Sequence, residues 1–184
     1  GDVFIMMWSF IPARFMQDSA GNMITIFTSM FMHAGWFHLI GNMLYLIIFG
    51  DNVEDRFGHV KFLLFYVLCG FIAMLAQLIA APYVTIPNLG ASGAIAGVLG
   101  AYLVLFPRRR VRVLLGWWIV HLPALIVIGG WILIQVLSSL GSLAGSASAA
   151  GGVAYMAHIG GFLSGLVLSF FFRNGVRALP PSYM

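Results

Sequence analysis

Long uncharged apolar runs, separated by short charged clusters, dominate the chain. After Asp18 the next charge is Asp51, after Lys61 it is Arg108, and after Arg112 it is Arg173, which leaves uncharged runs of 32, 46 and 60 residues. A helix crossing a ~30 Å hydrocarbon core needs roughly 20 residues at about 1.5 Å each. The first run therefore holds one span, and the other two hold a pair each, joined by an uncharged turn. With Gly, Pro and charge as boundaries, helices are expected at about 35–50, 60–81, 92–106, 122–140 and 153–172. This predicts an all-α membrane protein, a polytopic bundle with five transmembrane helices in a single domain over 1–184. Residues 1–34, aromatic, Met-rich and broken by Pro12 and the Gly21-Asn22 turn, read as an interfacial lead-in loop, 35–172 as the bundle and 173–184 as a tail. Pro82 to Gly90 reads as a Pro-bounded turn, and the small residues of Gly141 to Gly152 as a mobile cap.

Composition agrees with this pattern. Of 184 residues 61% are hydrophobic and 8% charged, against about 25% charged in ordinary soluble domains. The net charge of +4 comes from few basic residues in short clusters between apolar runs, which argues against a nucleic-acid partner. Five alternating spans put the turns at 51–61 and 107–112 and the tail from Arg173 on one side, with eight of the nine basic residues. The positive-inside rule makes that side cytoplasmic, and the expected setting is the cell membrane. The chain opens at Gly1 without Met or a signal-peptide pattern and is expected to be part of a longer one. The single cysteine, Cys69, lies in an apolar run and is expected to be inert.

Polar side chains inside spans face a protein interior or a water-filled cavity. Four stand out: His38, Asn42, Ser92 and His158. Each alone has a plain reading, as a hydroxyl bonded back to its own helix, an amide bonded across helices, or a neutral imidazole on a carbonyl. Depth groups them. Ser92 lies 16 residues before Arg108, and His158 lies 15 before Arg173, which places them roughly 24 and 23 Å above one boundary. His38, 13 residues before Asp51, sits roughly 20 Å up, with Asn42 on the same helical face. A hydroxyl, an imidazole and two neutral hydrogen-bonding groups in one layer are the parts of a nucleophilic hydrolase.

Local sequence fits that chemistry. Gly90-Ala91-Ser92-Gly93 opens a helix after Pro87 and Asn88, so free backbone N–H groups stand beside the hydroxyl to hold an oxyanion. Gly93 with Gly97, and Gly161 with Gly165, form G-x-x-x-G pairs. These suit plain helix packing, and they also allow a close approach that brings Ser92 to His158. All five acids, Asp2, Asp18, Asp51, Glu54 and Asp55, lie outside the expected spans, so neither an aspartyl dyad nor a zinc motif with its glutamate is available there. Any base acts in a Ser-His dyad without a carboxylate. His33, His59 and His121 read as interfacial or structural, and no metal or other cofactor is expected.

The stretches HAGWFHLIGN (His33 to Asn42), GASGAIAG (Gly90 to Gly97) and AHIGGFLSG (Ala157 to Gly165) resemble, in order, three core motifs of the rhomboid family of intramembrane serine proteases. The resemblance implies Ser92 as nucleophile and His158 as general base. It implies an oxyanion hole of His38, Asn42 and the Ser92 backbone N–H, with Gly90, Gly93 and Gly161 as close-approach glycines. Glu54 and Arg56 resemble a structural E-x-R feature. The family core also has a helix ahead of the lead-in, which is not among these residues. Its loop-anchoring Trp-Arg pair falls at Ile24 and Thr25, and the Tyr that stacks on the histidine in some members is Ala96. The expected function is cleavage of transmembrane segments of other membrane proteins, within the lipid bilayer and near the extracytoplasmic face. Substrate access is expected past the 122–140 helix and under the 141–152 cap. The alternative is a rhomboid-like pseudoprotease that binds client helices without cutting. A channel is disfavoured because the polar layer stops in the outer half. Oligomeric state has no sequence signal.

Overall fold

The computed structural model describes residues 2–143 and 154–173. The lead-in, expected as a loop, is wound into short helices: α1 (Asp2–Trp8), α2 (Pro12–Gln17), α3 (Ser19–Asn22) and α4 (Thr25–Thr28), then a 3-10 turn over Ser29–Phe31. Local capping explains part of this. Pro12 takes the first position of α2, where its missing N–H is no loss, and Asp18 accepts from the Gly21 N–H at 2.9 Å to start α3.

α5 (Trp36–Tyr45) passes through a π-helical segment, Leu46–Gly50, into α6 (Asp51–Phe57). The expected turn at 51–61 is thus mostly helix. Charges alone do not end a helix, and the break falls at Gly58, before α7 (His59–Ala80). α8 (Ser92–Leu105) and α10 (Tyr155–Phe172) match their expected ranges. The turn expected at 107–112 is replaced by an antiparallel hairpin, β1 (Arg110–Leu115) and β2 (Trp118–Pro123), so α9 begins only at Ala124 and runs to Leu143. Arg110 and Arg112 alternate with Val111 and Val113, a period-2 pattern, and Gly116 at φ 61° opens the two-residue loop. Among the described residues the bundle is therefore helical with one small β hairpin. The cap expected over Gly141–Gly152 and the tail beyond Arg173 fall, past Leu143 and Arg173, outside the described residues.

Among the described residues, α7, α9 and α10 are each long and apolar enough to cross a membrane. Ser19–Phe31 and Trp36–Phe57, bent by 78°, form a broken fourth candidate. α8 has 14 residues, or ~21 Å, short of the hydrocarbon thickness. It does not need to meet lipid, because every residue from Gly93 to Tyr102 is buried. The chain is a multi-pass helical membrane protein built around this short central helix.

Small residues set how closely α8 is wrapped. A Cβ built on Gly161 would collide with the Gly93 carbonyl, and one on Gly165 with the Gly97 carbonyl, so these positions are closed to any side chain. The pairing of 93 with 161 and 97 with 165 makes α8 and α10 run parallel. α7 runs the other way, with Ala73 against Gly93 and Cys69 against Gly97. Cys69 is fully buried there. At the far end of α8, Phe106 lies under the guanidinium groups of Arg56 (5.8 Å) and Arg109 (5.6 Å), and Phe172 packs on Phe57 and Phe65. Basic residues and aromatic rings thus close one end of the bundle, while Ser92 and His158 stand at the other.

Gly165→Ala forces the α8 and α10 backbones apart and is expected to destabilise the protein by roughly 1–3 kcal/mol. Gly130→Ala, on α9 with open space around its Cβ, is expected to leave stability unchanged or slightly raised. Thermal unfolding in detergent micelles compares the two; equal midpoints contradict the packing account.

Candidate active site

Ser92 is the first residue of α8, where backbone N–H groups lack intrahelical partners. The loop before it is held by the lead-in. Phe10 and Asn88 exchange backbone hydrogen bonds at 3.1 and 2.7 Å, Ala13 N–H donates to the Val84 carbonyl at 3.1 Å, and Gly90 N–H donates to the Ser29 carbonyl at 2.8 Å. The lead-in is itself pinned by Arg14, whose guanidinium donates to the carbonyls of Met6 and, at 2.6 Å, Ser9. Ile24 and Thr25, at the family's Trp-Arg positions, do not supply this anchor; Arg14 does.

Ser92 Oγ and His158 Nε2 lie 2.7 Å apart, although 66 residues separate them in sequence. On the other side of the imidazole, Nδ1 lies 2.8 Å from Gln135 Oε1 on α9. An amide oxygen only accepts, so Nδ1 carries the ring proton and Nε2 is left to accept from the serine hydroxyl. Trp131, one turn earlier on α9, places its ring 5.6 Å from the imidazole at 40°. Gln77 on α7 accepts at 3.3 Å from the Ala157 N–H beside His158, which it shares with the Ala154 carbonyl at 3.0 Å.

His38 and Asn42 stand on α5 across the same cavity. Ala34 N–H donates to His38 Nδ1 at 3.3 Å, which leaves Nε2 as the protonated, donating nitrogen. Asn42 Nδ2 gives one hydrogen to the His38 carbonyl at 2.9 Å, and its second hydrogen is not used by that bond. Gly90, at φ 122°, lies between His38 and Ser92. A Cβ there would meet His38 Cε1 and Nε2 at 2.7 and 2.8 Å and come within 3.7 Å of Ser92 Oγ.

These groups line a cavity of about 560 Å³ whose walls include Gly90, Gly93, Asn42, Trp131 and Ala157. Ser92 and His158 are partly exposed within it. Gly161 lies one turn below, in the α8–α10 contact rather than on the cavity wall. The other histidines stand apart from the serine: His33 packs edge-on against His38 at 5.2 Å, His59 bonds Glu54 at 2.6 Å, and His121 faces Arg112 in the hairpin. Four further residues, Arg14, Gln77, Trp131 and Gln135, shape the site without having been singled out from sequence. The two glutamines carried a usable signal, since each is a strongly polar side chain inside an apolar helix.

A Ser-His pair opening into a cavity at one end of a polytopic bundle defines the class of site. The Rhomboid domain family model matches residues 20–175. The chain is 34% identical to RHOMBOID-like protein 1 of Arabidopsis thaliana over 148 residues, covering 80% of this chain and 34% of that protein. It is 29% identical to the mitochondrial Rhomboid protein 1 of Saccharomyces cerevisiae over 177 residues, covering 92% of this chain and 48% of the other. With the Rhomboid protease GluP of Bacillus subtilis it shares 32% identity over 155 residues, 84% of this chain and 26% of the relative. The chain belongs to the rhomboid family, and it spans less than half the length of these relatives.

An open cavity predicts that Ser92→Cys reacts with a water-soluble maleimide in detergent micelles at least about tenfold faster than the native Cys69, because a thiol packed in an apolar core is shielded and inert. Mass spectrometry of the modified peptide distinguishes the two sites. Equal, negligible labelling of both contradicts an open cavity.

Proposed function

We propose that the protein is an intramembrane serine endopeptidase that cleaves transmembrane segments of other membrane proteins. The observation carrying this reading is the 2.7 Å contact between Ser92 Oγ and His158 Nε2 at the start of a helix, on the wall of a cavity. Ser92 Oγ attacks the scissile carbonyl while His158 Nε2 takes its proton. The developing oxyanion is held by the Ser92 backbone N–H, the His38 Nε2–H and the free Asn42 amide hydrogen. His158 then gives its proton to the leaving amine. In the second half a water attacks the Ser92 ester, His158 takes the water's proton, and the Ser92 alkoxide leaves protonated.

The cavity walls are largely apolar, with Phe37, Ile86, Leu89, Ile95, Leu99 and Trp131 among them, which suits an apolar peptide. Helical carbonyls are hydrogen-bonded and shielded, so substrates with small or helix-breaking residues near the cut site are preferred. We take the Trp36–Phe57 arm of the broken pair, α7, α8, α9 and α10 as five spans of a cell-membrane protein, counting the lead-in as interfacial. The end bearing Lys61, Arg108–Arg112 and Arg173 then faces the cytoplasm and the site the opposite side. A non-cutting, client-binding reading lacks a use for a serine and a histidine within hydrogen-bond reach.

Reconstituted wild-type protein is expected to cut a single-span substrate, with products mapped by mass spectrometry, and Ser92→Ala or His158→Ala to abolish cutting. His38→Ala is expected to lower kcat by roughly 100- to 1000-fold through loss of one oxyanion donor. Cleavage by folded Ser92→Ala at the wild-type rate overturns the mechanism.

A further inference from the structure

We infer that Gln135 is a positioning residue that fixes the tautomer and the tilt of His158; as an account of catalysis, this rests on the protease reading above. Among the described residues no carboxylate lines the cavity, so none holds the imidazole proton at Nδ1. Gln135 Oε1, 2.8 Å from Nδ1, supplies the acceptor instead. Gln135 is itself buried, 8% exposed, and an amide carbonyl placed there without a donor would be an unsatisfied acceptor in an apolar helix. The contact therefore satisfies both partners and orients the ring so that its Nε2 lone pair meets the Ser92 hydroxyl.

Two more contacts make the positioning a property of α9 as a whole. Ser139, one turn after Gln135 and also buried, donates to Met156 Sδ at 3.1 Å, and Trp131, one turn before, faces the imidazole. Trp131, Gln135 and Ser139 thus form a stripe at four-residue spacing that faces residues 156–158 at the start of α10. With Ala96 buried on α8 and carrying only a methyl group, this stripe on α9 is what bears on the free side of the histidine ring.

The test uses Gln135→Met, which keeps the volume and removes the acceptor, and Gln135→Glu, which keeps an acceptor and adds charge. Histidine ¹⁵N spectra in detergent micelles, with His158 assigned through His158→Ala, are expected to show protonated Nδ1 and unprotonated Nε2 in the wild type and a mixed or reversed pattern in Gln135→Met. The same variant is expected to lose roughly 10- to 100-fold in kcat with KM within about twofold. In Gln135→Glu the Nδ1–H tautomer persists, and the acid limb of kcat/KM moves to higher pH because a carboxylate stabilises the imidazolium. Among the described residues, the other titratable groups lining the cavity are His38 and Tyr45, both from α5; those of α7, α8 and α9 include none. Ser92-dependent cleavage with Gln135→Met equal to wild type in kcat and tautomer overturns the inference alone. The expected tautomer change without any wild-type cleavage supports the contact and overturns the protease reading. If Gln135→Met does not fold, an unmoved pH profile in Gln135→Glu overturns the inference.

Discussion

The parallel contact between α8 and α10 determines where everything else can stand. In a bilayer, helices are not driven together by the hydrophobic effect, so their association depends on close van der Waals packing and interhelical hydrogen bonds. Gly93, Gly97, Gly161 and Gly165 let two backbones meet with no side chain between them. The hydroxyl at the first residue of α8 and the imidazole in the first turn of α10 are then within 2.7 Å. A longer separation of the helix axes would leave the serine and histidine out of reach of each other while changing neither residue. Packing and chemistry are here one arrangement.

Around this contact the protein satisfies polar groups that lipid would penalise. Gln77 takes a first-turn N–H of α10, Gln135 takes the Nδ1–H of His158, and Arg14 gathers the carbonyls that the lead-in leaves free. The lead-in in turn pairs with the loop that ends at Ser92. The result is a short, closely wrapped central helix whose start lies on the wall of the cavity, with neighbours of span length on its outside. α7 and α9 present exposed Leu63, Leu64, Leu133 and Leu137 to the surroundings, as lipid-facing helices do.

Much of this was legible because long apolar runs and glycine spacing act through the backbone alone. The ranges of α8 and α10, the pairing of Gly93 and Gly97 with Gly161 and Gly165, and the common depth of Ser92 and His158 follow from helix rise and from what small residues permit. Elements governed by local chemistry were harder to read. Asp51, Glu54 and Arg56 look like a membrane boundary, yet they ride on a helix that ends only at Gly58. The Arg110–Pro123 hairpin shows its period-2 pattern only over Arg110 to Val113, too short a stretch to stand out beside the charges that read as a turn. Which glutamine meets which histidine depends on the rotation of α9, and no single-chain periodicity fixes that where the helix is apolar nearly all round. Arg14 was hidden for the same reason: its partners are backbone carbonyls, which carry no sequence signature.

The most direct measurement of the central claim is site mapping with a fluorophosphonate, which reacts only with a serine whose hydroxyl is activated by a base. The account predicts one covalent adduct, on the peptide containing Ser92, in the wild-type protein in detergent micelles, and its disappearance in folded His158→Ala. Absence of the adduct from folded wild-type protein, or equal labelling of Ser92 with and without the imidazole, contradicts it.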